Sequence, residues 1–318
     1  MNGRLQHFPV ALFAAVMGLS GLALALQQAE RVLGLAVPAG AAVAALAGLA
    51  FVLIAAFYGA KLLTFRAAVM ADLNHPVRMS FAATFSVSLI LLATLALGPL
   101  PRLSAALWSA GTLIHLLLTL YVLSAWVFQP RFQIQHLNPA WFIPVVGNIL
   151  VPLAGVHHAG DELNWFFFSV GLLFWLALFA LILYRLIFHG ALPERLQPTL
   201  FILIAPPAAG FLSYLALTGS IDAFARVLYY GALFFTLWLL TQARRFLKLP
   251  FFLSWWAYSF PLAAVTVATM TMYHLTGDGL LYLLSYGLLF VLLVVVTWLT
   301  VRTVFAIRYD QICVEETA

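Results

Sequence analysis

Charged residues are scarce in this chain. Its 318 residues include 15 Lys and Arg and 10 Asp and Glu, or 8%, whereas soluble domains carry about 25%. Hydrophobic residues make up 65%, and the mean hydropathy is +1.06. No soluble core could bury so much apolar surface, so the composition predicts an integral protein of a lipid bilayer. The net charge of +5 is too small and too scattered to predict nucleic-acid binding.

Cysteine is nearly absent, and histidines lack metal-binding patterns. The single Cys313 excludes an intramolecular disulfide and any CxxC metal site. The pair His157-His158 has no metal-ligand spacing such as HExxH. Two buried histidines on different helices could ligate a haem, but only His115 lies deep within an apolar segment. We therefore expect no metal, no cofactor and no enzymatic activity, and a membrane redox enzyme is the least favoured alternative.

Long hydrophobic runs fill most of the chain and predict its fold class. Each of ten runs is near the roughly 20 residues that a helix needs to cross a bilayer. They cover residues 8–27, 37–60, 79–98, 104–127, 138–157, 164–187, 198–218, 221–242, 250–274 and 279–303. Because the connections are short, neighbouring helices are expected to be antiparallel. We predict an all-α transmembrane domain over residues 1–307 and a cytoplasmic C-terminal tail over 308–318.

The positions of lysine and arginine predict the orientation of these helices. With a cytoplasmic N-terminus, the segments on the cytoplasmic side hold twelve of the fifteen basic residues. The other side holds only Arg31, Arg102 and Arg226. Basic residues concentrate in cytoplasmic segments of membrane proteins. The bias, with an even number of spans, predicts that both termini lie in the cytoplasm. We expect the membrane to be the plasma (bacterial inner) membrane.

Acidic residues are missing from the interiors of the ten segments. The one acidic residue within the segment bounds is Asp222, at the edge of the eighth segment. This argues against a selectivity filter built from a ring of fixed charges, and against a proton relay of buried carboxylates. Coupling of transport to protons through a histidine side chain remains an alternative.

Prolines recur with a period that suggests five helical hairpins. Pro9, Pro76, Pro139, Pro206 and Pro261 fall in or at the start of the odd-numbered segments, 67, 63, 67 and 55 residues apart by subtraction. The interiors of the even segments contain none. Proline kinks a helix and leaves a carbonyl without its partner, which is costly in lipid. We therefore predict five kinked inner helices around a central path, although transmembrane helices also tolerate proline for other reasons.

Four segments carry a resemblance to a known family. They are FPVALFAAVMGLSGLALA (8–25), NHPVRMSFA (74–82), LNPAWFIPVVGNILVPLAG (137–155) and SWWAYSFPLAA (254–264). In this order they resemble the tellurite-resistance/dicarboxylate transporter family, which includes bacterial TehA proteins and plant slow-type anion channels. The resemblance implies ten helices in five hairpins with quasi-fivefold symmetry. It also implies a pore lined by the odd helices and a homotrimer with one pore per subunit.

The resemblance also implies a gate. In the family an aromatic residue blocks the pore just before the kink of the ninth helix, and the matching residue here is Phe260. The alternative is that Phe260 is one of 27 phenylalanines that pack against a neighbour. Further predicted pore features are the kinks and the lining residues, namely Pro144, Pro206 and Pro261, and Phe13, Gly18, Ser86, Gly147, Asn148 and Gly210. At the cytoplasmic mouth we expect Arg78, Arg244 and Arg245 to raise the local concentration of anions.

Two functions of the transport class follow as expectations. The first is a passive channel for small monovalent anions such as chloride or nitrate, occluded by an aromatic ring that dewets the path. The second is a secondary carrier or exporter of C4-dicarboxylate, sulfite or tellurite oxyanions. Odd helices starting in the cytoplasm would turn the positive ends of their dipoles toward the inner mouth, which gives weak selectivity for anions.

Overall fold

The computed structural model describes residues 2–314, and within them it contains helices and no strands. Ten apolar helical segments account for most of these residues. They are α1 (Val10–Val32), α2 (Ala39–Thr64), α3 (Arg78–Ala96), α4 (Pro101–Phe128), α5 (Pro139–Gly155), α6 (Asp161–Phe188), α7 (Glu194–Thr218), α8 (Ala223–Thr241), α9 (a 3-10 turn, Leu253–Tyr258, continued by Ser259–Thr276) and α10 (Gly279–Arg308). Short helices Asn2–Gln6, Arg66–Asn74 and Ala243–Phe246 lie between or before them.

Eight of these segments in the described part of the chain are long and apolar enough to cross a membrane, which confirms a multi-pass membrane protein. The two others are α5 and α9. The first is short and broken, and the second carries four threonines and His274. The segments predicted at 138–157 and 250–274 are thus helical, and their crossing of the membrane stays a prediction.

Odd and even segments differ in regularity. Every even segment is one uninterrupted α-helix. Every odd segment contains a 3-10 stretch or a break: 3-10 turns open α1, α7 and α9, α3 breaks at Ala83, and α5 alternates between the two helix types. Proline lacks the N–H that an α-helix requires and clashes with the preceding turn, which accounts for most of these irregularities.

The two sets also differ in burial. In the most apolar stretches of α1, α3 and α7, 78, 83 and 61% of the residues are buried. In the five even helices the share is 11 to 33%. Most residues of α5 and α9 are buried as well. The even helices expose large apolar side chains such as Leu63, Phe128, Leu173, Val227 and Phe290. Such a surface suits lipid, so the even helices form the outer layer.

The inner helices form a closed ring. Each of α1, α3, α5 and α7 packs against the next odd helix, and α9 packs against α1. Each even helix packs against the odd helix before it and the odd helix after it, with α10 reaching α1. The ends of the chain meet where the ring closes, because Arg4 forms a 2.5 Å ion pair with Asp310. We call the side that carries both ends the terminal face, and the other side the opposite face.

The broken helix α5 has its free carbonyl groups satisfied by side chains. The Thr119 hydroxyl of α4 donates to the Pro144 carbonyl at 2.7 Å, and Asn148 Nδ2 donates to the Val145 carbonyl at 2.7 Å. Ser213 of α7 and Trp108 of α4 donate to later carbonyls of the same segment. Buried carbonyls without partners are costly, so these donors allow an irregular helix inside the protein.

Candidate functional site

Two cavities lie on the axis of the inner ring. The larger has a volume of about 560 Å³ and is lined by the second halves of the odd helices, toward the opposite face. The smaller, of about 40 Å³, is lined by their first halves, toward the terminal face. All five odd helices contribute to each cavity, and among residues 2–314 none of the five even helices does. The ring therefore encloses space along its axis, on both sides of a narrow level.

Phe260 occupies that narrow level. Its side chain lines both cavities and is 9% exposed. Gly21 of α1 lies opposite, where an added β-carbon would approach the Phe260 ring to 3.5 Å. A glycine at this place lets α1 and α9 approach closely around the ring. The residue predicted to be the gate thus lies between the two cavities.

The backbone around Phe260 explains how the ring reaches the axis. The 3-10 turn of α9 becomes an α-helix at Ser259, and Pro261 follows within its first turn. Proline cannot donate a backbone hydrogen bond to the preceding turn. One turn earlier, the Ser259 hydroxyl donates to the Trp256 carbonyl at 2.6 Å. Pro261 lines the smaller cavity beside Phe260.

Phe13, a predicted lining residue, lies away from both cavities. It is fully buried against Phe51 and Tyr58 of α2 and Phe85 of α3, with ring centroids 5.1 to 6.1 Å apart. It joins the first hairpin to α3 and lies behind the inner ring.

Ser86, Gly147 and Asn148 also lie behind the ring, against α4. Ser86 Oγ and His115 Nδ1 share a 2.8 Å hydrogen bond, and Asn148 Nδ2 donates to Thr119 Oγ1 at 2.9 Å. A β-carbon at Gly147 would lie 2.8 Å from the His115 ring. These polar groups hold the irregular helices to their outer neighbour, and neither cavity includes them.

The remaining predicted glycines and kinks lie at contacts between helices. A β-carbon at Gly18 would approach Ser259 Oγ closer than any normal contact, and one at Gly210 would lie 3.0 Å from Ile149. Pro144 and Pro206 are buried where α5 and α7 change helix type. Neither proline lines a cavity, so both act on the path through the shape of their helices.

The predicted basic residues of the mouth lie at the terminal face. Arg78 Nη1 donates to Asp72 Oδ1 at 2.9 Å, and the buried Lys61 forms a 2.6 Å ion pair with Asp72 Oδ2. Arg78 is therefore partly neutralised. Arg244 and Arg245 are exposed on the short helix between α8 and α9.

Apart from Phe260, the sequence reasoning missed the residues that line the larger cavity. Most are apolar, and the polar ones include Gln28, Thr94 and Thr271, with Gln28 Nε2 donating to Thr271 Oγ1 at 3.2 Å. Arg31 and His157 supply the cationic or titratable groups, and no Asp or Glu is present. The sequence held only weak indications of this lining. They are the polar pair Gln27-Gln28 inside an apolar helix and the basic side chain of Arg31 at the end of α1.

Candidate metal ligands are dispersed over the described part of the chain. Within residues 2–314 there is no group of three or more His, Cys, Asp or Glu side chains that could hold a metal ion. His115 uses one ring nitrogen to bond Ser86, and His158 Nε2 shares a 2.8 Å hydrogen bond with Ser104. These contacts give both histidines a structural role.

A lipid-facing layer around a closed ring of interrupted helices, with cavities on the axis, defines a membrane channel or transporter. Comparison with known proteins supplies the family. A family model described as voltage-dependent anion channel (SLAC1) matches residues 7–304, and the chain belongs to this family. The family is one of channels and transporters, and it is not enzymatic.

Relatives come from bacteria, plants and archaea. The tellurite resistance protein TehA homolog of Haemophilus influenzae is 26% identical, covering 84% of this chain and 81% of the relative. The S-type anion channel SLAH2 of Arabidopsis thaliana is 29% identical over 84% of this chain and 53% of its own length. An uncharacterised transporter of Methanocaldococcus jannaschii is 27% identical over 72% of this chain and 73% of the relative. The resemblance read from the sequence is thus confirmed.

Proposed function

We propose that this protein is a passive channel for small monovalent anions such as chloride and nitrate, closed in this structure by Phe260. The observation that supports it is the position of one aromatic ring between two cavities on a common axis. An apolar ring at a constriction excludes water and so blocks hydrated ions. The smaller cavity, of about 40 Å³, leaves little room for an ion on that side.

The proposed architecture is ten membrane crossings in five hairpins with quasi-fivefold symmetry. Its support is the repeated packing of each even helix between two odd helices. The positive ends of the five odd helices then face the cytoplasm. Neither cavity has an acidic lining residue, so the path offers anions weak sites and cations none.

The location and assembly are also proposals. We place the protein in the plasma (bacterial inner) membrane with the terminal face in the cytoplasm, because twelve of fifteen basic residues fall in segments on that side. We propose a homotrimer with one pore per subunit, as the family resemblance implies. Light scattering of the purified protein, corrected for bound detergent, measures the mass of the assembly. The mass of a monomer would contradict the trimer.

The second candidate is a secondary carrier or exporter of C4-dicarboxylate, sulfite or tellurite oxyanions. The name of the Haemophilus relative refers to tellurite resistance, and the larger cavity has room for such an ion beside Arg31. A carrier saturates at a low turnover and couples its substrate to a gradient. A channel gives electrogenic flux that far exceeds carrier turnover and is independent of a pH gradient.

The test is anion flux into proteoliposomes under a fixed chloride or nitrate gradient. Phe260→Ala should raise the flux about tenfold or more, because the residue that dewets the narrow level is gone. Cations should stay excluded. Phe13→Ala is the matched control, since it removes a buried phenylalanine that lines neither cavity. It should destabilise the protein without opening it.

Three outcomes separate the candidates. Equal flux in Phe260→Ala and wild type, with the wild type active, would make Phe260 a packing residue and move the gate elsewhere. Equal increases in the Phe260 and Phe13 variants would point to general loosening of the helices. No flux from any variant, combined with uptake of an oxyanion that is coupled to a gradient, would favour the carrier.

A further inference from the structure

The larger cavity carries a charge pattern that its surroundings do not share. Among its lining residues Arg31 is the one fixed cation, His157 is the one titratable side chain, and no carboxylate is present. The opposite face around it is acidic, with Glu30, Asp161, Glu162, Asp222 and Asp278 against Arg31, Arg102 and Arg226. The cavity is therefore positive within an acidic surface.

The acidic residues of that face are used elsewhere. Glu30 accepts from the Gly40 N–H at the start of α2, Asp222 from Ala225 of α8, and Asp278 from Leu280 of α10. The remaining two lie in the first turn of α6. Carboxylates stabilise helix N-termini, and the Ala225 N–H also holds the pKa of Asp222 below its usual value. These charges serve the outer helices and leave the cavity free of acid.

Whereas the carboxylates lie at helix N-termini, the basic side chains of the cavity lie at the C-terminal ends of helices. Arg31 lies in the last turn of α1, and His157 follows the end of α5. Both positions offset the negative dipole ends that the odd helices turn toward this cavity. In the described part of the chain Arg31 has no carboxylate within ion-pair distance. Its charge is thus available to a ligand in the cavity.

We infer that the larger cavity is a binding site for a small hydrated inorganic anion, held by Arg31 with His157 as a second donor. This inference rests on the proposed function and assigns the site from which anions enter or leave the path. A volume of about 560 Å³ admits an anion with much of its hydration shell, since a water occupies about 30 Å³. Gln28, Thr94 and Thr271 offer further polar contacts.

Nitrate binding to the purified protein tests the site without any need for conduction. The midpoint of thermal unfolding is measured against nitrate concentration, with gluconate keeping the ionic strength constant. Wild type should be stabilised by nitrate. In Arg31→Gln the half-saturating nitrate concentration should rise about three- to fivefold, the scale of one solvated ionic contact. His157→Gln should raise it less, and the double variant should show the largest effect.

Two other arginines of the same face give matched controls. Arg102→Gln and Arg226→Gln remove the same charge, but neither residue lines the cavity. Both should bind nitrate like wild type. Arg31→Lys should also bind nearly normally, because it keeps the charge. If Arg31→Gln fails to fold, the weaker binding expected of His157→Gln tests the site. Equal weakening by the three Arg→Gln variants, or equal stabilisation by nitrate and gluconate, would overturn the site.

The failure of this site differs from the failure of the channel. If Phe260→Ala conducts nitrate and the titration is insensitive to Arg31, the site falls and the channel stands. If nitrate binds in an Arg31-dependent manner and Phe260→Ala conducts nothing, the site stands and passive conduction falls.

Discussion

At the scale of single residues, the close packing of α1 against α9 requires glycine at two positions of α1, where no side chain fits. A β-carbon at Gly18 would meet Ser259 and Trp256, and one at Gly21 would lie 2.7 Å from Ala263 Cβ. Ser259 and Ala263 flank Phe260 on α9, so these glycines set the distance between Phe260 and the opposite helix. Small residues let helices in membranes approach closely.

Gly18→Ala should therefore destabilise the protein by about 1–3 kcal/mol, the usual cost of overpacking. The added methyl group would lie 2.7 Å from Ser259 Cβ, which is fixed to the backbone of a buried helix, so rotation of the Ser259 hydroxyl does not relieve the clash. Thermal unfolding in detergent measures the effect. Gly48→Ala on α2 is the control, because its added methyl group meets nothing within 4 Å. Similar midpoints of thermal unfolding for the two variants would show that α1 and α9 can accommodate an added methyl group at Gly18.

At the scale of helices, α5 shows how an irregular segment is kept inside the protein. Its carbonyls receive hydrogen bonds from Thr119 and Trp108 of α4, from Ser213 of α7 and from its own Asn148. The outer helix α4 thus does more than shield α5 from lipid, because it supplies donors that the broken backbone lacks.

Thr119→Val tests this dependence on α4. It removes the donor to the Pro144 carbonyl and the acceptor of Asn148 Nδ2, and leaves both groups buried. We expect a loss of about 1–3 kcal/mol in the free energy of unfolding. Thr236→Val on α8 is the control, since this buried hydroxyl bonds only the Ala232 carbonyl of its own helix. If both variants lose the same free energy of unfolding, the hydrogen bonds between α4 and α5 contribute no more stability than a hydroxyl bonded within its own helix.

The same helix shows what the sequence could and could not predict. The prolines at 144 and 152 predicted an interrupted inner helix, because proline acts on its own backbone wherever it lies. The facing of Asn148 and Ser86 was not predictable in this way. Polar side chains within apolar helices suggested pore lining, but both are used to bond carbonyls and α4. The rotation of each helix about its axis, which decides such facing, follows from packing across the whole ring.

At the scale of the molecule, the composition and the family resemblance predicted the all-helical membrane fold, and the odd segments are indeed the buried ones. The cavity lining was less accessible. Arg31 and His157 look like ordinary helix ends in the sequence, and only the closed ring brings them around one space. The family resemblance aligned Phe260 with an aromatic gate, and Phe260 does line both cavities, while its gating stays a prediction.

The proposed orientation can be tested with the single cysteine. Cys313 follows α10 at the terminal face, so a membrane-impermeant maleimide should label inverted vesicles and spare intact cells. Burial raises the pKa of the Cys313 thiol, so only a small fraction is thiolate near neutral pH. Labelling should therefore accelerate about tenfold per pH unit and keep rising beyond the range where an ordinary thiol levels off. Cys313→Ser is the blank, and rapid labelling of intact cells would reverse the orientation.

The meeting of α9 with α1 has a consequence for how the protein is made. The ring has no first or last member in space, but in synthesis the hairpin of α9 and α10 comes last. Until it arrives, α1 lacks its neighbour and the ring is an open arc. Phe260 belongs to that final hairpin. In the proposed channel, the enclosing wall and the Phe260 ring are therefore completed together, so the growing chain would not enclose the path before that ring is in place.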